Sequence, residues 1–138
     1  MFNRVAFVTG ASRGIGRATA LALCRAGFDL VLARAVAPLP TLVEYLLPLA
    51  RRSGRVLAYK GSAAHEEALA AEPGIQLLGG HLRKLIPVEV PGLAETRVLV
   101  VIDKLSQTPE GYPRGQGLPR KQPLGGKMAV ETGEEQDI

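Results

Sequence analysis

Apolar positions along the chain follow two periods. Short continuous runs occur at Arg4–Val8, Phe28–Ala33 and Arg55–Lys60. Runs of this length between turn residues read as buried strands of a largely parallel sheet. Thr9–Gly16 is a glycine-rich turn, and the Ala- and Leu-rich stretch Gly14–Ala26 predicts a helix stopped by Gly27. Pro38 and Pro40 break the chain. Thr41 is placed to cap a helix running to about Arg52, with Pro48 a local disturbance and Ser53-Gly54 its end. A short helix follows over Ala63–Glu72, then a Pro73-Gly74 turn and a helical turn within Ile75–Gly80. His81–Val90 and Arg97–Lys104 predict two strands joined through Pro91-Gly92, a link short enough to make them antiparallel. From Ser106 onward Pro, Gly and basic residues predict an extended segment. No internal repeat interrupts the alternation, which predicts a three-layer α/β sandwich.

Composition narrows the class. Of the 138 residues, 46% are hydrophobic and 22% charged, as in a soluble globular domain. No apolar run approaches the roughly 20 residues of a membrane span. The opening MFNRVAFVTG lacks a signal peptide's apolar stretch and cleavage site. Cys24 is the one cysteine, which excludes an intrachain disulfide and fits a cytoplasmic setting. His65 and His81 lie in no metal-ligand pattern, so no metal is expected. The net charge is +4, yet residues 128–138 hold Glu131, Glu134, Glu135 and Asp137 and no base. Without those four, 9 of the 13 acidic side chains remain against 17 basic ones, a balance of +8. Such a surplus suits a polyanionic partner. The expected organisation is one domain over residues 1–127 and an acidic, disordered tail over 128–138.

The turn Thr9-Gly10-Ala11-Ser12-Arg13-Gly14-Ile15-Gly16 lies between a strand and a helix. Glycines there let the backbone approach a phosphate, and the helix start supplies N–H donors. The stretch from Val8 to Arg34 resembles the opening of short-chain dehydrogenase/reductases, including ketoacyl-carrier-protein reductases. That resemblance implies a cofactor site for NADP(H) at Gly10, Ser12, Arg13, Gly14, Ile15 and Gly16, with the base at Arg13 favouring the phosphorylated dinucleotide. The reductase's catalytic pair, a tyrosine with a lysine four residues on, does not follow. Leu49, Ala63 and Gln116 stand four residues beyond Tyr45, Tyr59 and Tyr112.

A second resemblance begins at Arg34-Ala35-Val36-Ala37-Pro38-Leu39 and continues through Leu42–Leu49 and Gly54–Gly61. It extends through Leu78-Gly79-Gly80, Pro91-Gly92-Leu93 and Arg97–Lys104. It ends in Thr108-Pro109-x-x-Tyr112-Pro113-Arg114-x-x-Gly117-x-Pro119-x-Lys121-x-Pro123-Leu124. Residues 34–124 resemble the C-terminal half of the small-subunit rRNA guanine-N7 methyltransferase family (RsmG/GidB). The resemblance implies S-adenosylmethionine as methyl donor, with Arg34, Ala35 and Val36 beside its methionine end. It also implies 16S rRNA as partner, and Lys60, Tyr112, Arg114, Arg120 and Lys121 are candidates for its phosphates and bases. Guanine N7 is already nucleophilic, so alignment with the methyl group suffices and no dedicated base is named. The family's own glycine-rich loop and its ribose-gripping acidic strand are replaced or missing, and Gly115 stands where a second arginine usually follows Arg114.

The two resemblances together imply a Rossmann-like, mostly parallel sheet with an antiparallel C-terminal strand. Its order is 1-4-5-7-6 in the methyltransferase numbering, truncated, with the Phe28–Ala33 strand shared by both pieces. The handedness rule then moves the first helix to the side of the later ones, which leaves the other sheet face open to self-association as a homodimer; the alternative keeps the Phe28–Ala33 strand in its reductase position on the other side of strand 1, with the next connection crossing over. The expected function is a rearranged, weak or inactive rRNA methyltransferase with residual RNA affinity. The rivals are a reductase-like nucleotide-binding module without catalytic residues and a fusion without function.

Overall fold

The computed structural model describes residues 4–8, 27–34, 37–89, 91–92, 94–115 and 117–124. The predicted helix at 14–26 and the acidic tail lie outside these residues. Among the described residues five strands form one sheet: β1 (Val5–Val8), β2 (Phe28–Arg34), β3 (Ala50–Lys60), β4 (Gly80–Val88) and β5 (Arg97–Lys104), in the order β1-β2-β3-β5-β4. The first three are parallel, and β5 runs antiparallel to both β3 and β4. This is the expected order and the expected antiparallel closing strand. Pro87 is accommodated because β4 lies at the sheet edge, where a missing N–H costs no ladder bond.

Among the described residues two crossover helices cover one face: α1 (Leu39–Leu46) and α2 (Ala64–Leu77). Val31, Ala33, Val56, Ala58, Val98, Val100 and Ile102 project from the sheet into a core closed by Leu39, Val43 and Leu46 of α1 and by Ala64, Ala68, Ala71 and Ile75 of α2. The small residues on α2 recur at helical spacing, so its backbone lies close to its neighbours. Every residue of α1 is buried, as in a helix enclosed on all sides. Opposite-parity strand residues such as Leu30, Leu32, Leu57 and Leu99 are only half-buried, and Phe7 is 67% exposed.

Three predicted boundaries move. The α1 helix begins at Leu39 rather than Thr41, which lies buried in its interior. It ends early because Pro48 turns it into a 3-10 turn over Leu47–Leu49, and β3 starts at once at Ala50. Ser53-Gly54 is no helix end: Ser53 has φ 73°, and the β2–β3 register shifts between Phe28 and Leu30. A Cβ on Gly54 would stand 2.8 Å from the Arg51 carbonyl and 2.9 Å from that of Phe28, so the bulge is built on glycine. The α2 helix runs through Pro73 to Leu77 instead of turning there. Pro73 is exposed, while Ile75 and Leu78 are fully buried. Burial of the last turn outweighs the one backbone bond that proline removes.

The segment after β5 is also more structured than predicted. Leu105 and Ser106 donate backbone N–H groups to the Gly79 carbonyl at 2.8 and 3.0 Å, and Thr108 Oγ1 donates to the Leu78 carbonyl at 2.6 Å. It closes with a short helix, α3 (Leu118–Lys121), packed against α1.

Candidate functional site

Parallel strands that end together create the edge at which α/β sheets take ligands. Arg34 ends β2 and is exposed, opposite Tyr59 in the β3 register. Ala35 and Val36, the next predicted cofactor residues, lie outside the described residues, as do Gly10, Ser12, Arg13, Gly14, Ile15 and Gly16. Lys60 ends β3 and points inward, its side chain 8% exposed. Its Nζ donates to the Ala37 carbonyl at 2.9 Å and pairs with Glu67 Oε1 at 2.7 Å. The same Glu67 oxygen accepts the Leu39 N–H at 2.7 Å. Beside Lys60 and Gly61, Arg97 opens β5, and its buried Nε has no hydrogen-bond partner. A hollow of about 270 Å³ adjoins this edge on the half-buried sheet face, lined by Phe7, Leu32, Arg34, Leu57, Tyr59 and Leu99.

Tyr112 lies at the opposite sheet edge. Half-buried, it lines a groove of about 910 Å³ with Gly27, Ala50, Arg51, Arg52 and Lys104. Lys104 is 2% exposed, and its ammonium is satisfied by the Leu47 and Ala50 carbonyls at 2.6 and 2.9 Å, at the end of the 3-10 turn. Arg51 pairs with Asp29. Arg114 turns inward onto Glu44, which is fully buried on α1: its backbone N–H donates to Oε2 at 2.7 Å and its Nη2 to Oε1 at 2.9 Å. Donating to the Glu44 carboxylate pushes the Arg114 pKa further up, against the opposing effect of burial. Arg120 and Lys121 are exposed on α3.

The structure therefore divides the five candidate RNA-contacting residues. Lys60 stands at one sheet edge and Tyr112 at the other. Lys60 and Arg114 hold intramolecular partners, whereas Arg120 and Lys121 face outward. The sequence reading passed over Glu67, Glu44 and Arg97. Glu44 and Glu67 resemble ordinary helix-surface acids in the sequence; Arg114 lies 70 residues from Glu44, and the Leu39 amide 28 residues from Glu67. Arg97 entered the sequence signal as the start of a strand and of the Arg97–Lys104 motif, with no role of its own. His65 and His81 are exposed, and no group of metal-binding side chains occurs among the described residues. No described helix is long and apolar enough to cross a membrane.

Residues 16–93 match the family described as rRNA small subunit methyltransferase G (GidB). The ribosomal RNA small subunit methyltransferase G of Roseiflexus castenholzii is 53% identical over 100 residues, covering 72% of this chain and 42% of that protein. The Symbiobacterium thermophilum protein of the same name is 48% identical over 117 residues, covering 85% of this chain and 46% of its own length. The chain thus spans less than half the length of these relatives. The crystal structure of M1.HpyAVI superimposes with a TM-score of 0.50 at 11% identity over 75% of this chain, a likeness of fold alone. The family match starts at residue 16, well ahead of Arg34, so it includes part of the predicted helix and all of β2, both assigned above to the reductase-like opening. Strand order, crossover helices and this match lead to one conclusion: the chain belongs to the rRNA small subunit methyltransferase G family.

Proposed function

We propose that the chain carries an S-adenosylmethionine-dependent, guanine-N7-directed 16S rRNA methyltransferase fold whose own methyl transfer is weak or absent, with residual affinity for RNA. The observation that carries this reading is the family match spanning the strand ends at Arg34 and Lys60. S-adenosylmethionine fits the described residues at its methionine end. Arg34 is exposed there, without an ion-pair partner among the described residues, and a guanidinium suits a carboxylate. The adenosine end would fall to the glycine-rich turn, outside the described residues. When bound, this donor supplies an electrophilic methyl group, and the fold's task is to hold a guanine edge in line with it.

Weak transfer follows from the same edge. β2 and β3 end in cations, and the carboxylate beside them, Glu67, is committed to Lys60 and the Leu39 amide. It is not free to hold ribose hydroxyls. Arg120 and Lys121 supply the outward charge for RNA, while Lys60 and Arg114 act by holding the protein's own segments. A radiolabelled methyl-transfer assay on 16S rRNA tests the reading, run beside RNA binding at several salt concentrations. The expected result is transfer near background and RNA binding that weakens steeply as salt rises. Robust transfer would overturn the weak-enzyme clause, and salt-independent binding would overturn the role given to α3.

A further inference from the structure

We infer that Glu67 is a positioning residue: from α2 it fixes residues 37–39 at the entry to α1, beside the strand end at Arg34, and so sets where the cofactor edge stands. This deepens the methyltransferase reading above and rests on it for the identity of the ligand.

The α1 helix lacks the means to hold its own start. Its N-cap is Pro38, which supplies no side-chain acceptor, and its first turn contains no acid. The Thr41 and Leu42 N–H groups reach the Pro38 carbonyl at 3.0 and 2.9 Å, and Pro40 has no N–H to satisfy. The Leu39 N–H is left over, and Glu67 Oε1 accepts it at 2.7 Å from 28 residues away. An acid in another helix thus does the work usually done by a local Ser or Asp. It also places negative charge at the positive end of α1.

The same oxygen holds Lys60 Nζ, which in turn donates to the Ala37 carbonyl at 2.9 Å. One carboxylate therefore governs both a carbonyl and an amide of the 37–39 segment. Lys60 is almost wholly buried, so without Glu67 its charge would lose its counterion and its aim. The held segment lies three residues from Arg34. Its looseness would be felt as an ordering penalty when a ligand is gripped there.

The test compares the full chain with Glu67→Gln and Glu67→Ala, using amide hydrogen exchange and calorimetric titration with S-adenosylmethionine. Glutamine keeps an oxygen for Leu39 but not the charge for Lys60, whereas alanine removes both. For Glu67→Ala, exchange at Leu39, Thr41 and Leu42 should quicken about tenfold or more, with Val100 and Ile102 in β5 unchanged. Glu67→Gln should fall between, and ligand affinity should decline in the same order. Unchanged exchange at Leu39, or acceleration spread evenly into β5, would overturn the inference in favour of no role or a merely structural one. Local quickening in a chain whose wild type shows no S-adenosylmethionine binding would uphold Glu67's hold on the segment and overturn the ligand assignment instead.

Discussion

Glu44 is fully buried, and its charge is tolerable only because the Arg114 backbone and guanidinium both donate to it. Arg114→Ala leaves that carboxylate with the backbone N–H but no counter-charge and should cost about 3 kcal/mol in urea unfolding. Arg114→Lys should recover only part, since a point charge cannot reproduce the fork. Asp103 behaves differently. Burial acts to raise its pKa, but hydrogen bonds from Arg83 and Arg55 outweigh this and leave it below the usual carboxylate value. A lowered folded-state pKa means its stabilisation is present above about pH 4 and is lost as pH falls further. Both arginines are well exposed, so Asp103→Asn should remove less than about 1 kcal/mol of the acid-side loss, read from unfolding midpoints across pH. Neither pair is written in local sequence. Arg114 was recognisable as a special arginine through its motif, but its partner Glu44 was not, because the contact depends on tertiary closure.

At the scale of elements, the strands were more legible than the helices. Each predicted strand has a counterpart, since continuous apolar runs buried on a sheet leave a clear signal. Proline and glycine are poor guides to the helix limits here. Pro48 does end α1, but Pro73 is carried inside α2 by the burial of Ile75 and Leu78. Pro73→Ala restores a donor to the Leu69 carbonyl and should stabilise the fold by about 1–2 kcal/mol in urea titration. Gly54→Ala brings a Cβ against the Arg51, Phe28 and Asp29 carbonyls at the β2–β3 bulge and should destabilise by about 2 kcal/mol in the same measurement. The α3 helix escaped prediction because four residues containing a proline leave no periodic signal.

On the scale of the whole molecule, one sheet separates two kinds of chemistry. The strand-end edge gathers Arg34, Lys60, Glu67 and Arg97, while the chain after β5 gathers Tyr112 and Arg114 beyond the far ends of the same strands. The family was legible in the Arg34–Leu39 and Thr108–Leu124 motifs, but the division of labour among their cations was not. Side-chain direction, not residue type, decides which charges face outward. Double substitution Arg120→Ala with Lys121→Ala should leave the fold intact and lower the slope of log affinity for RNA against log salt by about 1–2. If the edge at Arg34 serves a methyl donor rather than a dinucleotide, side-by-side calorimetric titration with S-adenosylmethionine and NADPH separates the two ligands. The expected outcome is measurable S-adenosylmethionine binding, weakened by Arg34→Ala, and no saturable NADPH binding. Saturable NADPH binding lost on Gly14→Val, with none for S-adenosylmethionine, would contradict the assignment to a methyl donor.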